Sequence, residues 1–216
     1  MATDDEDRPR VAVCLAGSLD GRIWHPAQQV LGSRRDRLVL ERLRSQADLL
    51  LYGAGTARAD RREIRFTYPG LRAEVPPIAV VATRADFDWQ NPFWSTKSRK
   101  ILVLPKKAEV PPGIEVLEVD DTQDLAGVIE RLGFRRVLCE GGGRMFASLA
   151  RQDLVDELFY TVTPWLLGGE ATPAAATGLA PHRYTLVEAT VADQEIFLRY
   201  RSPHGRAWPI EEDPLS

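Results

Sequence analysis

A single α/β domain, with a mixed but mainly parallel sheet and helices on both faces, is the architecture to which this chain points. Three observations lead there. Short apolar runs recur along the chain, several of them apolar at every position, as strands covered on both faces are. Helical periodicity appears between them, so strands and helices alternate. With 216 residues, 44% of them hydrophobic, the chain suits one globular domain and at most a small appendage.

The elements follow in order. RVAVCLA (10–16) reads as a buried strand, followed by the turn-rich GSLDGR, where Asp20-Gly21 is a turn signal. A helix begins at Ser33, which forms a weak capping box with Asp36; Val39, Leu40, Leu43 and Ala47 recur at helical spacing behind it. DLLLYG (48–53), PIAVVAT (77–83), KILVLP (100–105) and IEVLEV (114–119) continue the strands, and a helix over 122–132 precedes the strand RVLCE. Another helix starts near Arg144. The last third differs, since DELFYTVTP (156–164), YTLVEATVA (184–192) and EIFLRYRSP (195–203) read as strands without intervening helices. They are expected to add antiparallel strands to the parallel core. Residues 1–8 and the tail 205–216 are polar, charged or proline-bearing, and are expected to be loose around a domain spanning 9–204.

Composition excludes several classes of function. No apolar run approaches the roughly 20 residues that a membrane span needs. MATDDEDRPR is acidic rather than basic and apolar, so no secretory signal is expected, and the protein reads as cytoplasmic. Cys14 and Cys139 sit inside apolar runs, which suits reduced, buried thiols better than a disulfide. Three scattered histidines, with no CxxC or HExxH, leave no expected metal site. A net charge of -3 gives no reason to expect nucleic acid or membrane as a partner.

Two glycine-bearing turns carry the chemistry. Gly141, Gly142 and Gly143 follow the end of a strand and lead into a helix, the place where ligands gather in open parallel sheets. Without Cβ atoms the backbone can approach a ligand closely, and the N–H groups of a helix start can receive phosphate oxygens. Arg144 in the first turn is disfavoured by the helix dipole unless an anion or an acid such as Glu140 is near. Gly53 and Gly55 start like a dinucleotide fingerprint, but the third position is Arg58, so the standard pattern fails. Thr56 and Asp60, four apart, would share a helix face; Thr56 either caps the turn or meets a ligand. Asp20 and Arg22 suit a turn or a surface pair.

Three segments together, SLDGR, LRSQADLLLYGAGTARAD and EGGG with LVDELFYTVTPWLLGG, resemble the reductase domain of riboflavin biosynthesis. This is the C-terminal domain of the bifunctional pyrimidine deaminase/reductase, which also occurs alone and has a dihydrofolate-reductase-like fold. The resemblance runs from about Arg10 to Tyr200 in the same order, and the zinc signature of the deaminase half is absent from this sequence. It implies a hydride transfer from NADPH that opens a ribosylamino-pyrimidine 5′-phosphate into its ribitylamino form, and a homodimer through the late strands. By position it implies cofactor contacts at Ala16, Thr56, Asp60, Thr83 and the run from Gly142 and Gly143 through Arg144, Met145 and Phe146 to Ser148. Glu140, the candidate catalytic residue, and Arg44 match substrate-contacting positions. Arg84, beside Thr83, is a candidate for the 2′-phosphate of NADPH, because a planar guanidinium suits phosphate.

One segment departs from that family. Where the family continues D-D-P-x-L-x-x-R, this chain has DRREIRFT, with Arg61 and Arg62 in place of the second acid and the proline and Thr67 in place of the final arginine. Arg61, Arg62 or Arg65 would then take the substrate phosphate, or the substrate differs. Two alternatives stay open: a reductase of the same fold acting on a pterin-like heterocycle, and a non-catalytic nucleotide-binding module.

Overall fold

The apolar runs become strands in the computed structural model, which describes residues 8–28, 30–71, 74–169, 171–174 and 179–209. In chain order the elements are β1 (Arg10–Gly17), β2 (Arg22–Trp24), α1 (Arg34–Gln46), β3 (Leu49–Gly53), α2 (Ala54–Ala59), β4 (Ile78–Val81), α3 (Pro92–Ser95) and β5 (Lys100–Leu104). They continue with β6 (Ile114–Glu118), α4 (Leu125–Leu132), β7 (Arg136–Cys139), α5 (Gly143–Arg151), β8 (Glu157–Val162), β9 (Thr172–Pro173), β10 (Thr185–Ala192) and β11 (Glu195–Arg201).

Among the described residues nine strands form one sheet in the order β10-β11-β8-β1-β7-β3-β4-β5-β6, while β2 and β9 pair separately. The seven strands from β8 to β6 in that order are parallel neighbours. This corrects the expectation for 156–164: β8 joins β1 in parallel register, Cys14 opposite Phe159, because α5 is the crossover that carries the chain back from β7. Only β11 runs against its parallel neighbour β8, and β10 folds back on β11 as a hairpin.

Strand alternation feeds two cores. Leu50 and Tyr52 of β3, Ile78 and Val80 of β4 and Leu138 of β7 face α1, whose Val39 and Leu43 cover them together with Phe93 and Trp94 of α3. Leu49, Leu51, Ala79, Val81, Val137 and Cys139 face the other way, under Leu125, Val128 and Ile129 of α4 and Met145, Phe146 and Leu149 of α5. Burial on both faces explains why these strands carry no polar alternation.

Helix ends show where local signals were incomplete. Ser33 caps α1, its Oγ accepting from the N–H groups of Arg35 (3.1 Å) and Asp36 (3.3 Å). The return half of the capping box comes from a distant strand: Ser33 donates its N–H and hydroxyl to Glu195 at 2.8 and 2.6 Å, which leaves Asp36 to turn inward. Helix α4 begins at Leu125 rather than at 122, because Asp124 caps it by accepting from Gly127 N–H. It ends on Gly133, whose φ of 73° is left-handed.

The flanks also differ from expectation. Residues 1–7 and 210–216 lie outside the described residues, but Arg8 and residues 205–209 are anchored rather than loose. Asp156, buried at the start of β8, accepts from Arg8 Nη2 (2.7 Å), Val11 N (2.8 Å) and Arg206 N (2.8 Å). Its neighbour Glu157 accepts from Arg199, Arg201 and the Trp208 N–H, and the Trp208 ring is buried in the α1-side core. Trp208→Ala is therefore expected to cost about 3–5 kcal/mol, the usual range for emptying a buried aromatic site, read as a lowered midpoint in chemical denaturation.

Candidate active site

The carboxyl ends of β1, β3, β4 and β7 open into one cavity of about 1230 Å³. It lies where β7 is inserted between β1 and β3, the point at which the chain's path across the sheet reverses. Leu15 and Ala16 lie near the end of β1, Gly53 ends β3, Ala82 and Thr83 follow β4, and Glu140 to Gly143 follow β7, and all of them line it.

The three consecutive glycines have separate causes. A Cβ on Gly141 would fall 2.7 Å from Met145 Cβ, so this glycine lets α5 turn tightly off β7. A Cβ on Gly143 would strike the Pro173 carbonyl and come within 2.9 Å of the Ala174 carbonyl, so this one admits β9 against the helix. Gly142 is the exception. A Cβ there would make only ordinary contacts, at 3.6 Å from Thr56 Oγ1 and 3.9 Å from Ile23 Cδ1, so no protein atom demands a glycine at that point. Gly142 donates its N–H to Thr56 Oγ1 at 3.0 Å, which ties the two glycine turns together. Thr56 thus neither caps its own helix nor stands free. Helix α5 has no side-chain cap, and its first N–H groups, Gly143 and Arg144, have no intrahelical acceptor. Arg144 is exposed on the cavity wall near Gly55, and its alternative partner Glu140 is taken by another cation.

That cation is Arg44. Its Nε donates to Glu140 Oε1 at 2.7 Å and its Nη2 to Oε2 at 2.5 Å, a bidentate pair with both side chains more than nine-tenths buried. Helix α1 brings Arg44 from one side of the sheet, and the end of β7 brings Glu140. Burial opposes the charge on Arg44, but Glu140 outweighs it and raises the guanidinium pKa further. The Tyr52 phenol is buried near this pair; burial and then the Glu140 charge hold it well above the usual range, so it stays a neutral phenol. Tyr52 Oη and Arg44 Nη1 have no hydrogen-bond partner of proper geometry, two unmet polar groups at the cavity floor.

Asp36, Leu40 and Arg44 line the cavity at four-residue steps, one stripe along α1 about 12 Å long at 1.5 Å per residue. Burial pushes the Asp36 carboxyl up to about 6, with Glu195 adding to the shift and the Thr161 hydroxyl and Arg37 opposing it. Cys14 also lines the cavity, and burial raises its thiol, which therefore stays protonated. Cys14 and Cys139 are both free thiols.

Of the residues singled out from sequence, Ala16, Arg44, Thr56, Asp60, Arg61, Arg62, Thr83, Glu140, Gly142, Gly143, Arg144, Met145 and Ser148 line this cavity. Three do not. Arg84 points away, with its side chain 78% exposed and paired with Asp86 at 3.3 Å. Arg65 is exposed on the surface, its carbonyl accepting from Arg37. Phe146 packs its ring into the α5-side core. Within DRREIR, Arg62 turns back on Asp60 (3.0 Å) and Arg61 pairs outward with Asp88 (2.9 Å), while Thr67 is bonded to Glu41. Asp20 is more than a surface partner for Arg22: it accepts from Ser18 Oγ and from the N–H groups of Leu167 and Gly168, fixing two loops together. Sequence reasoning missed Asp36 and Tyr52 as cavity residues. The i, i+4, i+8 spacing of Asp36, Leu40 and Arg44 was the available signal for the first.

Residues 9–198 match the family described as the RibD C-terminal domain, and the chain belongs to that family. It is 29% identical over 191 residues to the 2,5-diamino-6-ribosylamino-4(3H)-pyrimidinone 5′-phosphate reductase of Archaeoglobus fulgidus, covering 79% of this chain and 87% of that protein. Of RibD proteins from Bacillus amyloliquefaciens and Mycobacterium tuberculosis it spans about half, 49% and 47% of their length. Its fold is that of Acinetobacter baumannii RibD, with a TM-score of 0.79 at 20% identity over 90% of this chain and 58% of that one. Dihydrofolate reductase from Enterococcus faecalis has the same fold more distantly, with a TM-score of 0.55 at 12% identity over 90% of this chain and 96% of that one. Among the described residues no helix is long and apolar enough to cross a membrane and no group of side chains could hold a metal ion.

Two outcomes are expected. Arg44→Leu strands a buried carboxylate and should cost about 3–5 kcal/mol in urea unfolding, whereas Arg44→Leu with Glu140→Leu should recover most of that loss. Asp36 binds its proton more tightly folded than unfolded, so its ionised form weakens the fold as pH rises from about 4 through about 6. Asp36→Asn should therefore raise the Tm at pH 8 and leave it nearly unchanged at pH 4.

Proposed function

We propose that this member of the RibD C-terminal domain family is an NADPH-dependent reductase of riboflavin biosynthesis, which converts the ribosyl group of a 5-amino-6-(5-phosphoribosylamino)pyrimidine to ribityl. The observation that carries this reading is a single cavity with two unlike walls. One is a glycine turn at an uncapped helix start; the other is a buried arginine–glutamate pair.

The first wall fits a dinucleotide. Gly142 leaves open the space that a side chain would fill, and the Gly143 and Arg144 N–H groups meet it with the positive end of α5 and the Arg144 guanidinium. Thr56, Asp60, Ala16 and Thr83 complete that side, and Asp60 is suited to accept from ribose hydroxyls. Bound there, the cofactor would supply the hydride, and the protein supplies placement and electrostatics.

The reaction breaks the C1′–O4′ bond of the substrate sugar, with a hydride added at C1′ and a proton at O4′. Glu140 accepts hydrogen bonds from the sugar or its amine, since each oxygen keeps a lone pair beyond the one Arg44 uses. The bidentate grip of Arg44 fixes that carboxylate, so that substrate is oriented by a group that does not have to reorganise. The substrate phosphate falls to the Asp60–Arg62 rim, where Arg61 and Arg62 are exposed and can exchange carboxylate partners for phosphate. The same rim favours the second reading, a reductase of a different heterocycle, because Thr67 faces Glu41 in the place of the family's arginine. A homodimer belongs to the proposal, supported by exposed Leu186, Val187, Val191 and Ile196 on the β10–β11 hairpin. Free thiols suit the reducing cytoplasm.

Titration with NADPH should quench tryptophan fluorescence, and adding the ribosylamino-pyrimidine phosphate should then consume NADPH absorbance. Binding without consumption of that substrate would transfer the case to the second reading. Gly142→Ala should fold normally yet weaken NADPH binding about tenfold or more, roughly 1.4 kcal/mol. Gly143→Ala should instead lower the Tm, because its methyl group meets backbone carbonyls.

A further inference from the structure

Tyr52 carries a buried hydroxyl that the fold does not use. It is the last residue but one of β3, and in the β3–β7 register Leu51 stands opposite Cys139. The Glu140 N–H donates to the Leu51 carbonyl at 3.1 Å, so Tyr52 and Glu140 follow as neighbours at adjacent strand ends. Alternation along β3 turns the Tyr52 ring to the α1 face, the face from which Arg44 arrives. The side chain is almost wholly buried and meets Phe93 edge-on, with ring centroids 5.3 Å apart. A phenylalanine would serve that packing equally well. Packing therefore accounts for the ring and not for the oxygen.

Tyr52 lines the cavity floor beside Arg44 and Glu140, and among the described residues its Oη has no hydrogen-bond partner of proper geometry. Arg44 Nη1 is unmet in the same place, because the guanidinium commits Nε and Nη2 to Glu140. Buried polar groups left unpaired destabilise a fold. Two donors at one floor call for an acceptor that the protein itself does not supply, and a ligand oxygen is such an acceptor. Burial, and then the Glu140 charge, keep the phenol neutral, so its proton is present at neutral pH.

Opening the substrate sugar needs one acid. The C1′–O4′ electron pair leaves on O4′, which must gain a proton, while C1′ gains the hydride. We propose that Tyr52 is the proton donor to O4′, with Arg44 Nη1 holding the same oxygen as negative charge develops on it. The O–H bond of Tyr52 breaks as the O4′–H bond forms. The phenolate so formed lies against the Arg44 guanidinium, and a proton from water restores the phenol once the product has left. The other protic groups of the cavity are less suited. Glu140 has both oxygens on Arg44, Asp60 accepts from Arg62 at the rim, and Thr56 Oγ1 accepts from the Gly142 N–H. Asp36 stands about 12 Å along α1 from Arg44 at the helical rise. The Cys14 thiol is a weak donor.

The inference rests on the reductase reading, and Tyr52→Phe separates the two. In this variant the single-turnover consumption of NADPH with the ribosylamino-pyrimidine 5′-phosphate should slow by about 100-fold or more, the usual contribution of a general acid. KM and the affinity for NADPH should change by less than about twofold, because the lost contact matters only in the transition state. The Tm should hold or rise, since the variant keeps the ring and sheds an unpaired buried hydroxyl. In wild type, whose folding is not in question, the single-turnover rate should be lower in D₂O than in H₂O, because a proton is in flight in the transition state. An unaltered rate in Tyr52→Phe, a loss of NADPH affinity in step with the rate, a lowered Tm, or a wild-type rate indifferent to D₂O each overturns the assignment, while consumption by wild type upholds the reductase reading. Absence of consumption by wild type overturns both.

Discussion

The bidentate pair between Arg44 and Glu140 is the contact on which the site depends. It is made between α1, on one face of the sheet, and the end of the strand inserted at the reversal of the chain's path. Both charges are out of water, so each is tolerable only in the presence of the other. The pair therefore fixes where α1 lies against β7, and with it the position of every side chain on the cavity stripe of that helix. It also leaves the carboxylate unable to act alone. Glu140 is held by Arg44 through both of its oxygens, so its charge is committed to a partner within the protein.

The two walls of the cavity are built by different physics. On the wall of the glycine turns the work is steric: Gly141 and Gly143 let backbone segments approach, and Gly142 keeps a space clear. On the wall of the Arg44–Glu140 pair it is electrostatic, carried by buried charges and a neutral phenol. A mutation on the first wall acts by volume, and one on the second acts by leaving a partner uncompensated.

Much of this was legible in the residues. Leu49, Leu50 and Leu51 announce a strand buried on both faces, and the glycines after Cys139 announce a turn at a strand's carboxyl end. The limits have physical causes. Strand direction is set by the crossover that precedes it, so the apolar run of β8 could not report that it is parallel to β1. Buried pairing between residues 96 apart, Arg44 and Glu140, leaves no local trace. The count of glycines was informative for the wrong reason: two of the three answer to the protein's own packing. Arg84 and Arg65 have the right chemistry for phosphate, but Asp86 draws one outward and the other is exposed outside the cavity lining. The Ser33–Asp36 spacing predicts half of a capping box, but Glu195, from a strand 159 positions beyond Asp36, fills that role and frees the aspartate.

The anchoring of the flanks has a consequence for the topology of the chain. Arg206 Nη2 donates to the carbonyls of Arg8 and Pro9 at 2.5 and 2.9 Å, and Arg8 reaches the carbonyl of His204 at 3.2 Å. The first and last described segments thus hold each other by hydrogen bonds, beside the amino ends of the parallel strands and across the sheet from the cavity. The described backbone from Arg8 to Arg206 is nearly a closed ring. A peptide linker joining those segments would span little distance, and the ends could be reopened in an exposed connection such as 105–113 without touching a cavity residue. Continuity of the backbone at this seam is therefore a matter of convenience for the fold, and the order in which its strands are synthesised is separable from the order in which they pack.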